Sequence, residues 1–138
     1  MTLEPIFVTA LGFGALLMGL VLMTVTMRTW LTVSGQRAAN SFAPDGADVG
    51  ALCARVCRAH ANCVENIGAF ALVLLVAIGT GETALLNPLA YAFLAARLFQ
   101  AGAHVASTSP VAVSIRAVFF LVQVVIMGWW IVALLGGG

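Results

Sequence analysis

The fold is set by an uncharged stretch of 22 residues near the amino terminus, residues 6–27, which reads IFVTALGFGALLMGLVLMTVTM. A helix needs about 20 predominantly apolar residues to cross the hydrocarbon core of a bilayer. Glu4 precedes the stretch with no basic residue beside it, and the stretch is too long for the core of a cleaved signal peptide. It therefore predicts a membrane-spanning helix.

The composition of the whole chain agrees with a membrane location. The 138 residues are 62% hydrophobic and 8% charged, whereas a soluble domain carries about 25% charged residues. The net charge of +1 leaves no basic surface of the kind that a nucleic-acid-binding protein needs. These values exclude a soluble globular enzyme, a disordered chain and a nucleic-acid partner, and they predict one integral membrane domain surrounded by membrane lipids.

Breaks between the apolar runs divide the chain into four helices. The turn sequence Pro44-Asp45-Gly46 marks a long first connector, and Thr108-Ser109-Pro110 ends the third helix. Aromatic anchors are expected near the interfaces, with Trp30 at one and Trp129 and Trp130 at the other. The prediction is an all-α membrane protein, a four-transmembrane-helix bundle formed by residues 1–138, with helices at about 5–33, 49–79, 83–107 and 111–135.

Arginines concentrate on one side of this predicted bundle. The first and third connectors and the helix ends beside them hold five of the six arginines, and Arg97 lies about two turns inside helix three. The opposite loop and the amino terminus carry only Glu4 and Glu82. The positive-inside rule places the arginine-rich side in the cytoplasm and both termini on the non-cytoplasmic side.

Polar side chains form stripes on three of the helices. Ionisable groups at membrane depth are costly, and each indicates a functional site that needs a partner. At 100° per residue, the stripes are Arg55, Arg58, Asn62, Glu65 and Asn66 on helix two, Arg97, Gln100, His104 and Thr108 on helix three, and Arg116, Phe120, Gln123 and Met127 on helix four.

These stripes have a structural interpretation and a functional one. In the first, Glu65 pairs with one arginine, and the amides bond across the helices to hold them together. In the second, Glu65 faces Arg58, Arg97 and Arg116, so that about two buried charges lack a partner, at several kcal/mol per ion. An anionic ligand with two carboxylates and one ammonium supplies the missing charge. Glutathione has these groups, as do other acidic peptides.

Residues 58–66 read RAHANCVEN and resemble the R-A-x-x-N-x-x-E signature of the MAPEG family, the membrane-associated proteins in eicosanoid and glutathione metabolism. The resemblance implies a homotrimer, here in a bacterial inner membrane, that binds glutathione between protomers on the cytoplasmic side. By position it assigns glutathione contacts to Arg28, Arg58, Asn62, Glu65 and Arg97, and it places Arg116 near the sulfur. With the stripe residues Gln100, His104 and Gln123 added, these form the expected glutathione site.

The resemblance also implies an activity, with Arg116 as the catalytic residue. In active members a stabilised thiolate attacks a lipophilic electrophile or reduces a lipid peroxide, which makes a glutathione transferase or a glutathione-dependent peroxidase the leading hypothesis. The chain departs from active members at Ala61, at Ala117 and in lacking a tyrosine on helix four, and it has Gln100 and His104 where prostaglandin E synthase has histidine and tyrosine. Because the family includes the non-enzymatic five-lipoxygenase-activating protein, the alternative is a scaffold that binds a lipid or other hydrophobic small molecule without turnover.

Two further groups of cysteine and histidine side chains could bind a metal or a cofactor. Cys53, Cys57 and His60 share one face of helix two, but their spacing is not that of a standard zinc site, and no metal is predicted. The three cysteines, including Cys63, are expected to be reduced thiols. His60 and His104 raise a third hypothesis, a bis-histidine haem protein.

Overall fold

The computed structural model of the protein describes residues 2–136, and the regular secondary structure in this part of the chain is all helical, without strands. Four α-helices are joined by a connector at residues 34–50, a 3₁₀ turn at Thr83–Leu85 and a three-residue link at residues 107–109. The all-helical architecture predicted from the sequence is thus confirmed. The helices are α1 (Pro5–Val33), α2 (Ala51–Thr80), α3 (Asn87–Ala106) and α4 (Pro110–Gly136).

The ends of α2 and the start of α3 differ from the predicted bounds for local reasons. Helix α2 begins two residues later than expected because Gly50 has a φ of 148°, a conformation that breaks the helix and that glycine tolerates. It ends at Thr80, and the φ of 76° at Gly81 gives a left-handed carboxyl-terminal cap. Helix α3 begins after the 3₁₀ turn, with Pro88 in its first turn, where a missing N–H is tolerated.

Hydrogen bonds between helix ends show that α1 and α3 run in the same direction and that α2 runs opposite to them. The backbone N–H of Ile6 donates to Asn87 Oδ1 at 3.1 Å, which places the start of α1 beside the start of α3. Arg55 Nε donates to the Val105 carbonyl at 2.7 Å, which places the start of α2 beside the end of α3. The end of the bundle that contains Arg55 and Val105 is called the arginine end below.

Three helices, α1, α2 and α4, are long and apolar enough to cross a membrane. Helix α3 has 20 residues, which corresponds to about 30 Å of helix and matches the hydrocarbon core. Its composition is more polar because it contains Arg97, Gln100 and His104, all of which are buried in the bundle. Its outer surface is apolar, with exposed Tyr91, Leu98 and Phe99.

The interior away from the arginine end is a cluster of aromatic rings. Phe70 stacks on Phe93 with ring centroids 5.1 Å apart, and Phe93 contacts Trp130 at 5.3 Å. Phe13 packs edge-on against Phe70 at 5.8 Å. The prediction that Trp130 anchors an interface is therefore wrong, because its ring is fully buried in this cluster. Trp129 and Trp30 are exposed, as an interfacial position requires.

The first connector is ordered by Arg37 and Asp48. Arg37 forms an ion pair with the Asp48 carboxylate at 2.9 Å and donates to the carbonyls of Ser41 and Asp48. The Asp48 carboxylate accepts the N–H of Ala43 at 3.0 Å. This backbone hydrogen bond, aided by the charge of Arg37, lowers the pKa of Asp48 below its ordinary value of 3.8.

We expect Asp48→Ala to loosen this connector. The amide protons of residues 41–48 should exchange with solvent faster, because the carboxylate that holds Ala43 and Arg37 is gone. In the unmodified chain the same loosening is expected only as the pH falls through the lowered pKa of Asp48, since the ionised form is the one stabilised by folding. Hydrogen-exchange mass spectrometry measures both effects. Asp45→Ala is the control, because Asp45 accepts only the nearby N–H of Ala47, and equal exchange in both variants would contradict the prediction.

Candidate ligand-binding site

Arg97 is the centre of a polar layer inside the bundle. Its side chain is fully buried, and Nη1 donates to Asn62 Oδ1 on α2 at 2.8 Å and contacts Cys63 Sγ at 3.9 Å. The guanidinium lies 5.3 Å from the centroid of the Phe13 ring, a cation–π distance. Nε and Nη2 are buried and have no hydrogen-bond partner in residues 2–136. A buried cation thus has no carboxylate beside it, and two of its donor nitrogens, Nε and Nη2, are available.

Two further side-chain hydrogen bonds join α3 to α4 in the same layer. Gln123 Nε2 donates to Gln100 Oε1 and to the Phe119 carbonyl, both at 2.8 Å. Nearer the arginine end, Arg116 Nη1 lies 3.0 Å from His104 Nδ1. Because a guanidinium can only donate, His104 accepts with Nδ1 and carries its proton on Nε2. Arg116 is half-buried, whereas His104 is buried.

Six of the nine sequence-predicted site residues therefore meet in one polar layer. They are Asn62, Arg97, Gln100, His104, Arg116 and Gln123. The hydrogen bonds across helices expected of the amides are present, because Asn62 bonds to Arg97 and Gln123 to Gln100. The other three residues, Arg28, Arg58 and Glu65, lie elsewhere.

Glu65 does not face the arginines of α3 and α4 as the sequence interpretation expected. Its side chain is exposed, as is that of Arg58, and the ion pair present within residues 2–136 joins Arg37 to Asp48 instead. The reason is helical rotation. Arg58 and Glu65 lie about 140° and 160° around α2 from Cys63, which is buried in the bundle. The predicted stripe on α2 therefore lies at the edge of the bundle, where Asn62 faces inward and Arg58 and Glu65 face outward.

Arg28 borders a groove between α1, the connector and α2. Its Nη2 donates to the Ala43 carbonyl at 2.7 Å, while its Nε is buried without a partner in residues 2–136. A cavity of about 340 Å³ here adjoins one of about 430 Å³, and both are lined by Pro44, Cys57 and Ala61. We call the two together the connector groove; its lining also includes Arg28, Asp45, Arg58 and His60.

The connector groove has the size and charge of a small anion site. Each cavity falls within the range of about 300–1,000 Å³ that is usual for small-molecule sites. Two guanidinium groups, from Arg28 and Arg58, line it together with one carboxylate, from Asp45. Sequence reasoning missed Asp45 and Cys57 as lining residues, although the Pro44-Asp45-Gly46 turn signal indicated that the connector folds back at this point.

The positions of the histidines and cysteines bear on the haem and metal-site hypotheses. His60 lines the connector groove, whereas His104 lies inside the bundle with Nδ1 engaged by Arg116, so the two imidazoles do not form the pair that a bis-histidine haem needs. Within residues 2–136, no three histidine, cysteine or acidic side chains come close enough to hold a metal ion. Cys53, Cys57 and Cys63 are free thiols.

Four helices enclosing a buried layer of arginine and amide side chains, three of them apolar enough to span a bilayer, define an integral membrane protein with a cationic interior. The chain belongs to the MAPEG family, whose family model matches residues 6–136. The resemblance carried by the signature at residues 58–66 is thereby confirmed. No curated protein and no solved structure matches the chain significantly.

Some residues of the family signature lie inside the bundle and others lie on its outer surface. Ala59 is fully buried and Asn62 bonds to Arg97, whereas Arg58 and Glu65 point outward. Arg55, just before the signature, has a role that the sequence did not reveal, because it bonds to a carbonyl of the last turn of α3. Such a contact satisfies a helix end and aligns α2 with α3.

Proposed function

We propose that this protein binds glutathione at the arginine end of the bundle and uses it to modify or reduce lipophilic compounds that arrive from the bilayer. The observation that carries the proposal is a surplus of guanidinium groups without carboxylate partners. Arg97 and Arg28 hold buried N–H groups that no residue between 2 and 136 accepts, and Arg116 bonds to a neutral imidazole. Buried cations of this kind favour an anionic ligand.

Glutathione matches the groups available. Its two carboxylates suit the guanidiniums of Arg28 and Arg58, which line the connector groove. Its ammonium needs an acidic partner. Glu65 lies on the exposed face of α2 and forms no ion pair with any residue between 2 and 136. Asn62, at the bundle edge, is placed between this outer face and the polar layer formed by Arg97, Gln100, His104 and Gln123.

The outward position of Arg58 and Glu65 supports a homotrimer with the ligand between copies. Glu65 lies 15 residues before the end of α2, or about 22 Å along the helix, within the reach of a 30 Å hydrocarbon core. A charged side chain facing lipid at that depth is costly. A second copy packed against this face removes the charges from lipid and closes the site with its own polar residues.

Arg116 is the group proposed to act on the sulfur. It is half-buried near the start of α4, where a guanidinium charge favours the thiolate, and the thiolate is the nucleophile in transfer to an electrophile. In this proposal His104 holds Arg116 in position through the 3.0 Å hydrogen bond. The arginine end then faces the cytoplasm of a bacterial cell, with both termini on the non-cytoplasmic side of the inner membrane.

Equilibrium dialysis of the detergent-purified protein against glutathione tests the proposal. We expect millimolar or tighter binding, weakened at least about tenfold by Arg58→Ala, because a hydrogen bond to a charged group contributes about 1.5–3 kcal/mol. Arg55→Ala is the matched control, since Arg55 is engaged with the Val105 carbonyl, and its affinity should be unchanged. Failure to bind glutathione, or equal affinities in all three proteins, would overturn the proposal.

A lipid-binding scaffold without turnover is the second candidate. An apolar groove of about 370 Å³ lies between α2 and α4, lined entirely by alanine, leucine, isoleucine and valine. Ile131 in this groove is 15 residues from Arg116, about 22 Å along α4, too far to present an electrophile to a thiolate there. If the protein is such a scaffold, a fluorescent fatty acid should bind to it, and the Leu72→Trp variant should not bind the fatty acid. Conjugation of a small aromatic electrophile should stay at the background rate. Conjugation above background excludes it.

A further inference from the structure

Cys53 and Cys57 form a thiol pair beneath the connector, and Cys57 also lines the connector groove. A β-carbon at Gly46 would lie 2.9 Å from both sulfur atoms, so the two sulfurs lie within twice that distance of each other. Gly46 is buried and has a φ of 72°, and it covers the pair as the turn closes. Cys57 Sγ also lies 3.8 Å from Thr24 Oγ1 on α1.

The two thiols differ in access. Cys57 is half-buried and lines both cavities of the connector groove, whereas Cys53 is 1% exposed behind it. Arg28 lies within electrostatic range of Cys53 and lines the groove beside Cys57, and Arg58 lines its other cavity. A negatively charged reagent is therefore attracted to the place where Cys57 is open to attack.

The local helix geometry permits a bond between the two sulfurs after a small rearrangement. Residues four apart on a helix have α-carbons about 6 Å apart, within the range of 4.4–6.8 Å seen in disulfides. Their β-carbons, about 5–6 Å apart, must approach to about 4 Å. Cys53 lies in the first turn of α2, which has no side-chain cap and follows Gly50, so this turn can unwind at little cost.

We propose that Cys53 and Cys57 are a redox-active dithiol oxidised by an anionic small-molecule disulfide. The Cys57 thiolate, its proton lost to solvent, attacks one sulfur of the disulfide, and the other sulfur leaves as a thiolate with the electron pair of the broken bond. The Cys53 thiol then gives its proton to solvent, and its thiolate attacks the Cys57 sulfur, which forms the internal disulfide and releases the second small thiolate with the electron pair of the broken mixed disulfide. Two protein thiols are oxidised and one small disulfide is reduced to two thiols.

Counting the free thiols of the full-length protein after incubation with glutathione disulfide tests this inference. A maleimide–polyethylene glycol gel shift reports the count, and intact mass spectrometry reports any adduct. Starting from three thiols, the unmodified protein should retain one and gain no mass from glutathione. Cys53→Ser should lose one thiol and gain one glutathionyl group, because the mixed disulfide on Cys57 is no longer resolved.

Two matched variants define the outcome that overturns the inference. Cys63 is fully buried against Arg97, so Cys63→Ser should still lose both remaining thiols, whereas Cys57→Ser should keep both of its own. The redox-active dithiol is disproved if the unmodified protein retains three thiols. It is also disproved if Cys57→Ser reacts with glutathione disulfide as fast as the unmodified protein does.

A neutral disulfide separates this inference from the proposed function. Bis(2-hydroxyethyl) disulfide should oxidise the same pair several-fold more slowly than glutathione disulfide, because it lacks the charges that Arg28 and Arg58 attract. Equal rates would overturn the assignment of an anionic oxidant. The dithiol does not depend on reduced glutathione being a ligand, so its oxidation by the neutral reagent stands even where dialysis detects no glutathione binding.

Discussion

Replacement of Arg116 by alanine is expected to lower the rate of glutathione conjugation about 30-fold at pH 7, because a thiol with a pKa near 8.5 is only about 3% ionised at that pH. The unmodified protein is expected to hold the bound sulfur largely as thiolate through the guanidinium of Arg116, which His104 orients. Above the pKa of the free thiol the two proteins should approach the same rate, since ionisation then needs no help.

A pH–rate profile with a small aromatic electrophile measures this effect. The profile of Arg116→Ala should rise by about tenfold per pH unit up to the pKa of the free thiol, whereas that of the unmodified protein should be flat over the same range. Arg55→Ala, which removes an arginine bound to a backbone carbonyl at the same end of the bundle, should keep the flat profile. A flat profile in Arg116→Ala would remove Arg116 from the chemistry.

Replacement of Arg97 by methionine is expected to separate ligand binding from stability. Arg97 is fully buried without a carboxylate in contact, and removing such a charge in favour of an apolar side chain of similar volume is commonly neutral or stabilising. The thermal midpoint of the ligand-free protein should therefore not fall. Glutathione affinity should fall at least about 100-fold, because the Nε and Nη2 donors, proposed to bind the peptide carbonyls of glutathione, are lost, and each hydrogen bond to a charged group contributes about 1.5–3 kcal/mol.

The same substitution at Arg55 should have the opposite pattern. Arg55→Met removes the hydrogen bond to the Val105 carbonyl that aligns α2 with α3, so the midpoint should fall while glutathione affinity stays the same. Thermal unfolding in detergent, followed by dialysis against glutathione, measures both quantities for both variants. A lower midpoint with unchanged affinity in Arg97→Met would assign Arg97 a purely structural role.

The helical architecture could be predicted because it depends on local sequence. The run at residues 6–27 is long and uncharged, and α1 spans it as expected. Small errors arose where a single backbone conformation decides the boundary, as at Gly50 before α2. Trp130 was misplaced because interfacial and core tryptophans look alike in sequence, and only the packing of Phe70 and Phe93 around the ring distinguishes them.

The candidate site was only partly predictable, since helical spacing shows which side chains share a face but not where that face meets its neighbours. Asn62 and Glu65 are three residues apart, yet one bonds inside the bundle and the other is exposed. The stripes on α3 and α4 predicted hydrogen bonds between amides of different helices, but not that Gln100 pairs with Gln123. The connector groove did not, because it depends on how Arg28 and Arg37 fold the first connector around Phe42.

We propose that unpaired guanidinium groups at the arginine end bind glutathione through its carboxylates. Calorimetric titration of the purified protein with glutathione and with its diethyl ester tests this most directly, because the ester keeps the thiol, the peptide groups and the ammonium but removes both negative charges. We expect glutathione to bind with millimolar or tighter affinity and the diester to bind at least about 100-fold more weakly, through loss of two charge-assisted contacts. Equal affinities for the two compounds, or no heat from either, would contradict it.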